Sequence, residues 1–61
     1  MEKIKEVLIR RDNMTKQEAD NLIEGARTAL EEYLADGDMD SAGDICQEYF
    51  GLEPDYIHEL L

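Results

Sequence analysis

A row of aspartates near the middle of the chain comes nearest to a ligand-binding motif. Asp36, Asp38, Asp40 and Asp44 occupy positions 1, 3, 5 and 9 of an EF-hand loop, where carboxylates bind Ca²⁺. The required glycine, hydrophobic residue and glutamate at positions 6, 8 and 12 are replaced by Ser41, Gly43 and Gln47. The loop offers about four of the roughly six to eight oxygens that Ca²⁺ needs. We interpret it as a turn between helices, with weak, nonspecific divalent binding as the alternative, and expect no metal ion and no cofactor.

Two other side chains, Cys46 and His58, have reactive groups, but neither has the neighbouring residues that catalysis would require. Cys46 is the only cysteine, which excludes an intramolecular disulfide, and it has no cationic neighbour that would lower its pKa. It is interpreted as a small buried hydrophobic residue. His58 follows Asp55 by three residues, a spacing that would let the carboxylate orient it as a base, yet no nucleophile or second ligand lies nearby. We therefore expect no catalytic residue and no enzymatic activity.

The charges are strongly divided along the chain. Five of the six bases lie in the first sixteen residues against three acids, whereas residues 17–61 contain one base, Arg27, against thirteen acids. Such an acidic body repels nucleic acid and anionic lipid and attracts basic protein surfaces. The predicted partner-binding residues are the carboxylates in the middle of this region: Glu31, Glu32, Asp36, Asp38, Asp40 and Asp44.

The elements that hold these residues are predicted to be four short helices. Ile4, Val7 and Leu8 recur at helical spacing in a first helix over about 3–11, which Asp12 and Asn13 end. A second helix over 16–35 starts at the capping-box pair Thr15 and Glu18 and stops at Gly37.

A third helix over 41–50 is predicted to be capped by Asp40 or Ser41 and to end at Gly51, with Leu52 making the hydrophobic contact of a Schellman motif. A fourth helix over 54–60 starts with Pro54 in its first turn. The fold class is all-α, a compact bundle forming a single domain over residues 1–61. No apolar run is long enough to cross a membrane, and a cytoplasmic setting is expected.

Two stretches of the sequence are similar to a known group of proteins. One runs from Met14-Thr-x-x-Glu18-Ala19 through Tyr33-Leu-Ala-Asp-Gly-Asp38, and the more specific one is Phe-Gly-Leu-Glu-Pro-Asp-Tyr-Ile at residues 50–57. Over roughly residues 7–61 the chain resembles small acidic helical proteins encoded by bacteriophages and prophages, which generally have no assigned function. The resemblance implies an accessory role in a bacterial host cell and brings no functional residues. The chain departs from the group at Gly25 and Gly43, where larger helix-forming residues are expected.

The expected function is binding to a host or phage protein with a basic surface. In a more specific version, the carboxylates from Glu31 to Asp44 mimic the phosphates of DNA and inhibit a host defence or nucleic-acid enzyme. The alternatives are a small DNA-associated regulator that uses the basic first helix and a purely structural helical module. We also expect a homodimer at high micromolar concentration, with the first helix in its interface, because the basic opening segment of one copy complements the acidic body of another.

Overall fold

The computed structural model describes residues 3–61, a range that contains five helices and no β-strand. The α-helices are α1 (Ile4–Arg11), α2 (Lys16–Ala35), α3 (Met39–Gly43) and α4 (Ile45–Phe50), and a 3₁₀ helix follows at Pro54–Glu59. The prediction of an all-α fold is confirmed. Met1 and Glu2, which the predicted domain and charge count include, lie outside the described residues.

Helix α1 ends where its sequence predicts. The amide of Asp12 donates to the carbonyl of Leu8 over 3.1 Å, and Asn13 then takes a left-handed conformation with φ of 57°. Asparagine tolerates that conformation better than most residues, because its short polar side chain can hydrogen-bond locally. The amino end of α1 has no such local solution, since Lys3 at the cap position makes no side-chain cap hydrogen bond.

Helix α2 begins and ends through local interactions. The amide of Glu18 donates to Oγ1 of Thr15 over 3.1 Å, and the amide of Thr15 donates to Oε1 of Glu18 over 3.0 Å, which confirms the capping box. At the other end Gly37 has a φ of 74°. Its amide donates to the carbonyl of Leu34, and that of Asp38 donates to the carbonyl of Tyr33, the two bonds of a Schellman motif.

The predicted third helix is two short helices, and its predicted cap is wrong. Asp38 is the N-cap, because its carboxylate accepts from the amide of Ser41 over 3.2 Å and α3 therefore starts at Met39. The segment then breaks at Asp44, whose amide bonds back three residues to the carbonyl of Ser41. Gly43, a weak helix former, directly precedes this break.

After α4 the chain forms a short 3₁₀ helix, Pro54–Glu59, where an α-helix over 54–60 was predicted. Gly51 ends α4 as predicted, with a φ of 65°, but the amide of Leu52 bonds to Cys46, one residue further back than a Schellman motif requires. Leu52 does pack, half-buried, against the core. Pro54 lies in the first turn as predicted, and the amide of Leu60 bonds back three residues to Ile57 over 2.9 Å.

The core lies between α2 and the shorter helices around it. The inner faces of α1 and α4 supply most of its large side chains, and α2 contributes two small residues and Leu30, so that the helices can approach closely. The ten residues of this cluster are Ile4, Leu8, Ala19, Ala26, Leu30, Ala42, Ile45, Cys46, Phe50 and Leu60. Among residues 3–61 no helix combines the length and apolar character that a membrane span requires.

Candidate functional site

The six predicted partner-binding carboxylates are all exposed, and they follow one another along one stretch of the fold. They lie in the last turns of α2, in the α2–α3 connection, in α3 and at the break before α4: Glu31, Glu32, Asp36, Asp38, Asp40 and Asp44. Within residues 3–61 no Lys, Arg or His side chain forms an ion pair with any of them. Their negative charge therefore faces solvent without a local counter-charge.

One of the six has a structural role as well. The pKa of Asp38 lies below its usual value because hydrogen bonding to Ser41 favours the ionised form. The carboxylate thus stays charged at neutral pH while it caps α3. A substitution of Asp38 would change the fold of this connection as well as its charge, so Asp38 is unsuitable as a probe of binding alone.

Tyr33 and Glu48 belong to the same acidic surface, although neither is among the residues predicted from sequence. The charge of Glu48 is the main reason that the pKa of the Tyr33 phenol is raised, and burial and the charges of Asp38 and Glu32 add to the effect. Glu48 lies in α4 and Tyr33 in α2. The charge of Glu48 acts on the Tyr33 phenol because the two helices pack together. From the sequence, Glu48 was identifiable only as an acid on the polar side of the predicted third helix.

Three basic residues, Lys5, Arg11 and Arg27, form ion pairs or hydrogen bonds with other residues of the chain. Nζ of Lys5 lies 2.9 Å from a carboxylate oxygen of Asp20 and joins α1 to α2. The Arg11 guanidinium forms two hydrogen bonds with Asp12 and donates to the carbonyl of Phe50, which ties α1 to the end of α4. One of these contacts, between Lys5 and Asp20, pairs a base of the opening segment with an acid of the acidic body.

The carboxy-terminal residues close the fold against the start of α1. Oε1 of Glu59 accepts from the amide of Ile4 over 2.9 Å and so supplies the cap that Lys3 lacks. Nε of Arg27 donates to the carbonyl of Leu60 over 3.3 Å. Beside this junction is an open depression of about 450 Å³ in which three basic and three acidic side chains are mixed with two isoleucines. With its charges balanced, the depression favours neither an anion nor a cation.

Neither reactive side chain has an environment suited to catalysis. Cys46 is fully buried, which raises the pKa of its thiol, and the nearby charge of Glu59 raises it further. A protonated thiol without access to solvent is a poor nucleophile. His58 is exposed, and in the described chain no hydrogen bond or ion pair connects it to Asp55. Among residues 3–61 no three His, Cys, Asp or Glu side chains group closely enough to hold a metal ion.

Comparison with known proteins adds no relative. The chain matches no family model, no curated protein and no solved structure. The resemblance to small phage-encoded proteins therefore stays a prediction.

Proposed function

We propose that this chain is a non-enzymatic accessory protein that acts by binding another protein with a basic surface. The observation that carries the proposal is the row of six exposed carboxylates without ion pairs between Glu31 and Asp44. No Lys or Arg follows Arg27, whereas ten acids do. A one-signed surface of this kind accelerates association with an oppositely charged partner and disfavours like-charged ones.

The absence of an enzyme-like site in the described residues supports a binding role. Its only thiol is buried, its only histidine is exposed without an orienting partner, and the depression beside Ile4 and Glu59 is open and lined by balanced charges. General acid–base or nucleophilic catalysis needs such groups within hydrogen-bond reach of each other at a site that holds substrate.

In the more specific form of the proposal, the partner is a host defence or nucleic-acid enzyme in the cytoplasm of a bacterial cell. Such enzymes bind phosphates through basic grooves, and a row of carboxylates can occupy a groove of that kind. The resemblance to phage-encoded proteins supports this setting.

The two alternatives have less support than the leading proposal. A DNA-associated regulator would need free cations on α1, but Lys5 pairs with Asp20, and Arg11 is held by Asp12 and Phe50. A purely structural module would not need a long exposed acidic surface. The homodimer stays a proposal that rests on the division of charge along the chain. The described contacts of α1 add no support, since Ile4, Val7 and Leu8 are buried within the chain and Lys5 and Arg11 are paired there.

Affinity capture with matched charge variants tests the proposal. The first variant neutralises three exposed acids of the row: Glu31→Gln, Glu32→Gln and Asp40→Asn. The control neutralises three exposed acids elsewhere: Glu6→Gln, Glu24→Gln and Glu53→Gln. Because both variants lose three charges, a difference between them reports position and not net charge.

We expect a basic protein from a bacterial lysate to bind the wild type and the control, to bind the first variant weakly, and to be released by salt. Equal binding by the two variants would contradict the assignment of the surface. Failure of the wild type to capture any protein would contradict the function.

A further inference from the structure

The end of α2 and the start of α3 place exposed apolar side chains in the most acidic part of the chain. Leu34 is 40% exposed and Met39 is 65% exposed. Within residues 3–61 the third exposed large hydrophobic residue is Leu61, at the carboxy-terminal end. Residues 31–40 contain these two apolar side chains, five carboxylates and no base.

Backbone hydrogen bonds in the α2–α3 connection link the segments that carry the two apolar residues. The amide of Gly37 donates to the carbonyl of Leu34, and the amide of Met39 donates to the carbonyl of Gly37 over 3.1 Å. Glu31 lies beside Leu34, because helix residues three apart are neighbours, and Asp38 and Asp40 flank Met39. We call this surface the α2–α3 patch, made up of Glu31, Leu34, Asp36, Asp38, Met39 and Asp40.

The charges and apolar side chains of the α2–α3 patch favour some classes of binding partner over others. A second copy that presents the same patch would bring carboxylates against carboxylates, and nucleic acid or anionic lipid would meet the same repulsion. A partner that offers only cations, such as a groove built for phosphates, would leave Leu34 and Met39 without an apolar cover. The matching surface has Lys or Arg side chains around large apolar ones.

We propose that the α2–α3 patch docks a cationic amphipathic helix of its protein partner, with apolar side chains over Leu34 and Met39 and Lys or Arg side chains against the surrounding carboxylates. Recognition of an amphipathic helix through its apolar face is a recurring mode of peptide binding. The inference rests on the proposed function and narrows it, because it requires the partner to be apolar as well as basic at the contact.

A pair of synthetic peptides serves as the probe. One is a helical peptide of about 18 residues, long enough to form helix, with Leu on one face and Lys on the other. Its control has Ala at every Leu position and the same Lys residues. Binding of each is measured by titration calorimetry at salt concentrations of about 0.1 M and about 1 M, since the higher concentration shortens the Debye length to about 3 Å and suppresses charge attraction.

The protein variants are Met39→Ser, Leu34→Ser, the conservative Met39→Leu, and Leu61→Ser as a control at the exposed apolar residue outside the patch. Met39 is exposed enough for its replacement to leave the fold intact, and amide NMR spectra verify this for each variant. We expect the Leu–Lys peptide to bind more tightly than the Ala–Lys peptide and to retain binding at high salt. Met39→Ser should weaken it about tenfold, equivalent to about 1.4 kcal/mol, and Met39→Leu should restore it.

Three results would overturn the inference, and they differ in what they imply for the proposed function. Equal affinity for the two peptides, with both weakened by neutralising Glu31, Glu32 and Asp40, would reject apolar docking and leave the acidic binding surface in place. Equal weakening by Leu61→Ser and Met39→Ser would place the contact elsewhere. Absence of binding to either peptide at low salt would count against the acidic surface as a binding site altogether.

Discussion

The same substitution, glycine to alanine, should stabilise the protein at Gly25 and destabilise it at Gly37. Gly25 lies in the interior of α2, and an added Cβ would have no atom within 4 Å. Alanine there gains helix propensity of about 1 kcal/mol and meets no steric cost. For a domain of this size, that change raises the melting temperature by about 4–8 °C.

Gly37 also has open space around a Cβ, but its φ of 74° is left-handed. An L-residue in that conformation costs about 1–2 kcal/mol, so Gly37→Ala should lower the free energy of unfolding by about 1 kcal/mol or slightly more. Because both positions are sterically open, the sign of the effect depends only on backbone conformation. The two sites lie about 18 Å apart along the helix axis, so their effects should add and the double variant should be close to the wild type.

Urea unfolding followed by circular dichroism measures both changes as shifts of the midpoint at constant slope. A neutral or destabilising Gly25→Ala would refute the reasoning, because it would mean that Gly25 is packed against a neighbour or that α2 is not a regular helix there. A neutral Gly37→Ala would show that the left-handed turn is not formed in solution.

The helix caps, the acidic loop and the division of charge can each be tested in solution. Thr15→Ala should lower the free energy of unfolding by about 1 kcal/mol, because the amide of Glu18 loses its acceptor, and an unchanged melting temperature would count against this start of α2. The cap carboxylate of Asp38 has a lowered pKa, so its contribution is present above the unfolded pKa of about 4 and is lost as pH falls through the folded value. The stability difference between the wild type and Asp38→Asn, measured by urea unfolding from pH 7 to 3, should therefore shift against the wild type below about pH 4, and a constant difference would refute the role of the charge. Millimolar Ca²⁺ should leave the amide NMR signals of residues 36–47 nearly unshifted, whereas saturable shifts at micromolar Ca²⁺ would revive the metal site. Sedimentation should show a dimer at high micromolar concentration that dissociates in high salt, and a 7 kDa species at every concentration would exclude it.

The longest helix was predictable from sequence because its ends depend on neighbours in the chain. The capping box joins Thr15 to Glu18, and the Schellman bonds surround Gly37, so both ends of α2 use contacts within about one turn. The stops at Asn13 and Gly51 were predictable for the same reason, since a left-handed conformation favours these residue types.

The candidate site was predictable as a set of exposed acids but not as a surface. Their exposure follows from their positions outside the apolar stripes. The approach of Glu48 to Tyr33 required α4 to pack on α2. The exposure of Leu34 was not predictable, because an apolar residue at helical spacing from Leu30 is expected to lie on the buried side of α2.

Sequence by itself determined the all-α class, the bounds of α2 and the division of charge, because helical periodicity, capping and composition are properties of short segments. The break at Asp44 and the 3₁₀ form of the last helix were not predicted from sequence, and the closure of the chain depends on tertiary structure. In that closure Glu59 caps Ile4 from 55 residues away, and Arg11 reaches Phe50 across 39. Contacts between residues so distant in sequence produce no periodic pattern from which they could be predicted. They are identifiable only in the folded chain, where burial of the common core brings α1 next to α4 and the carboxy-terminal residues.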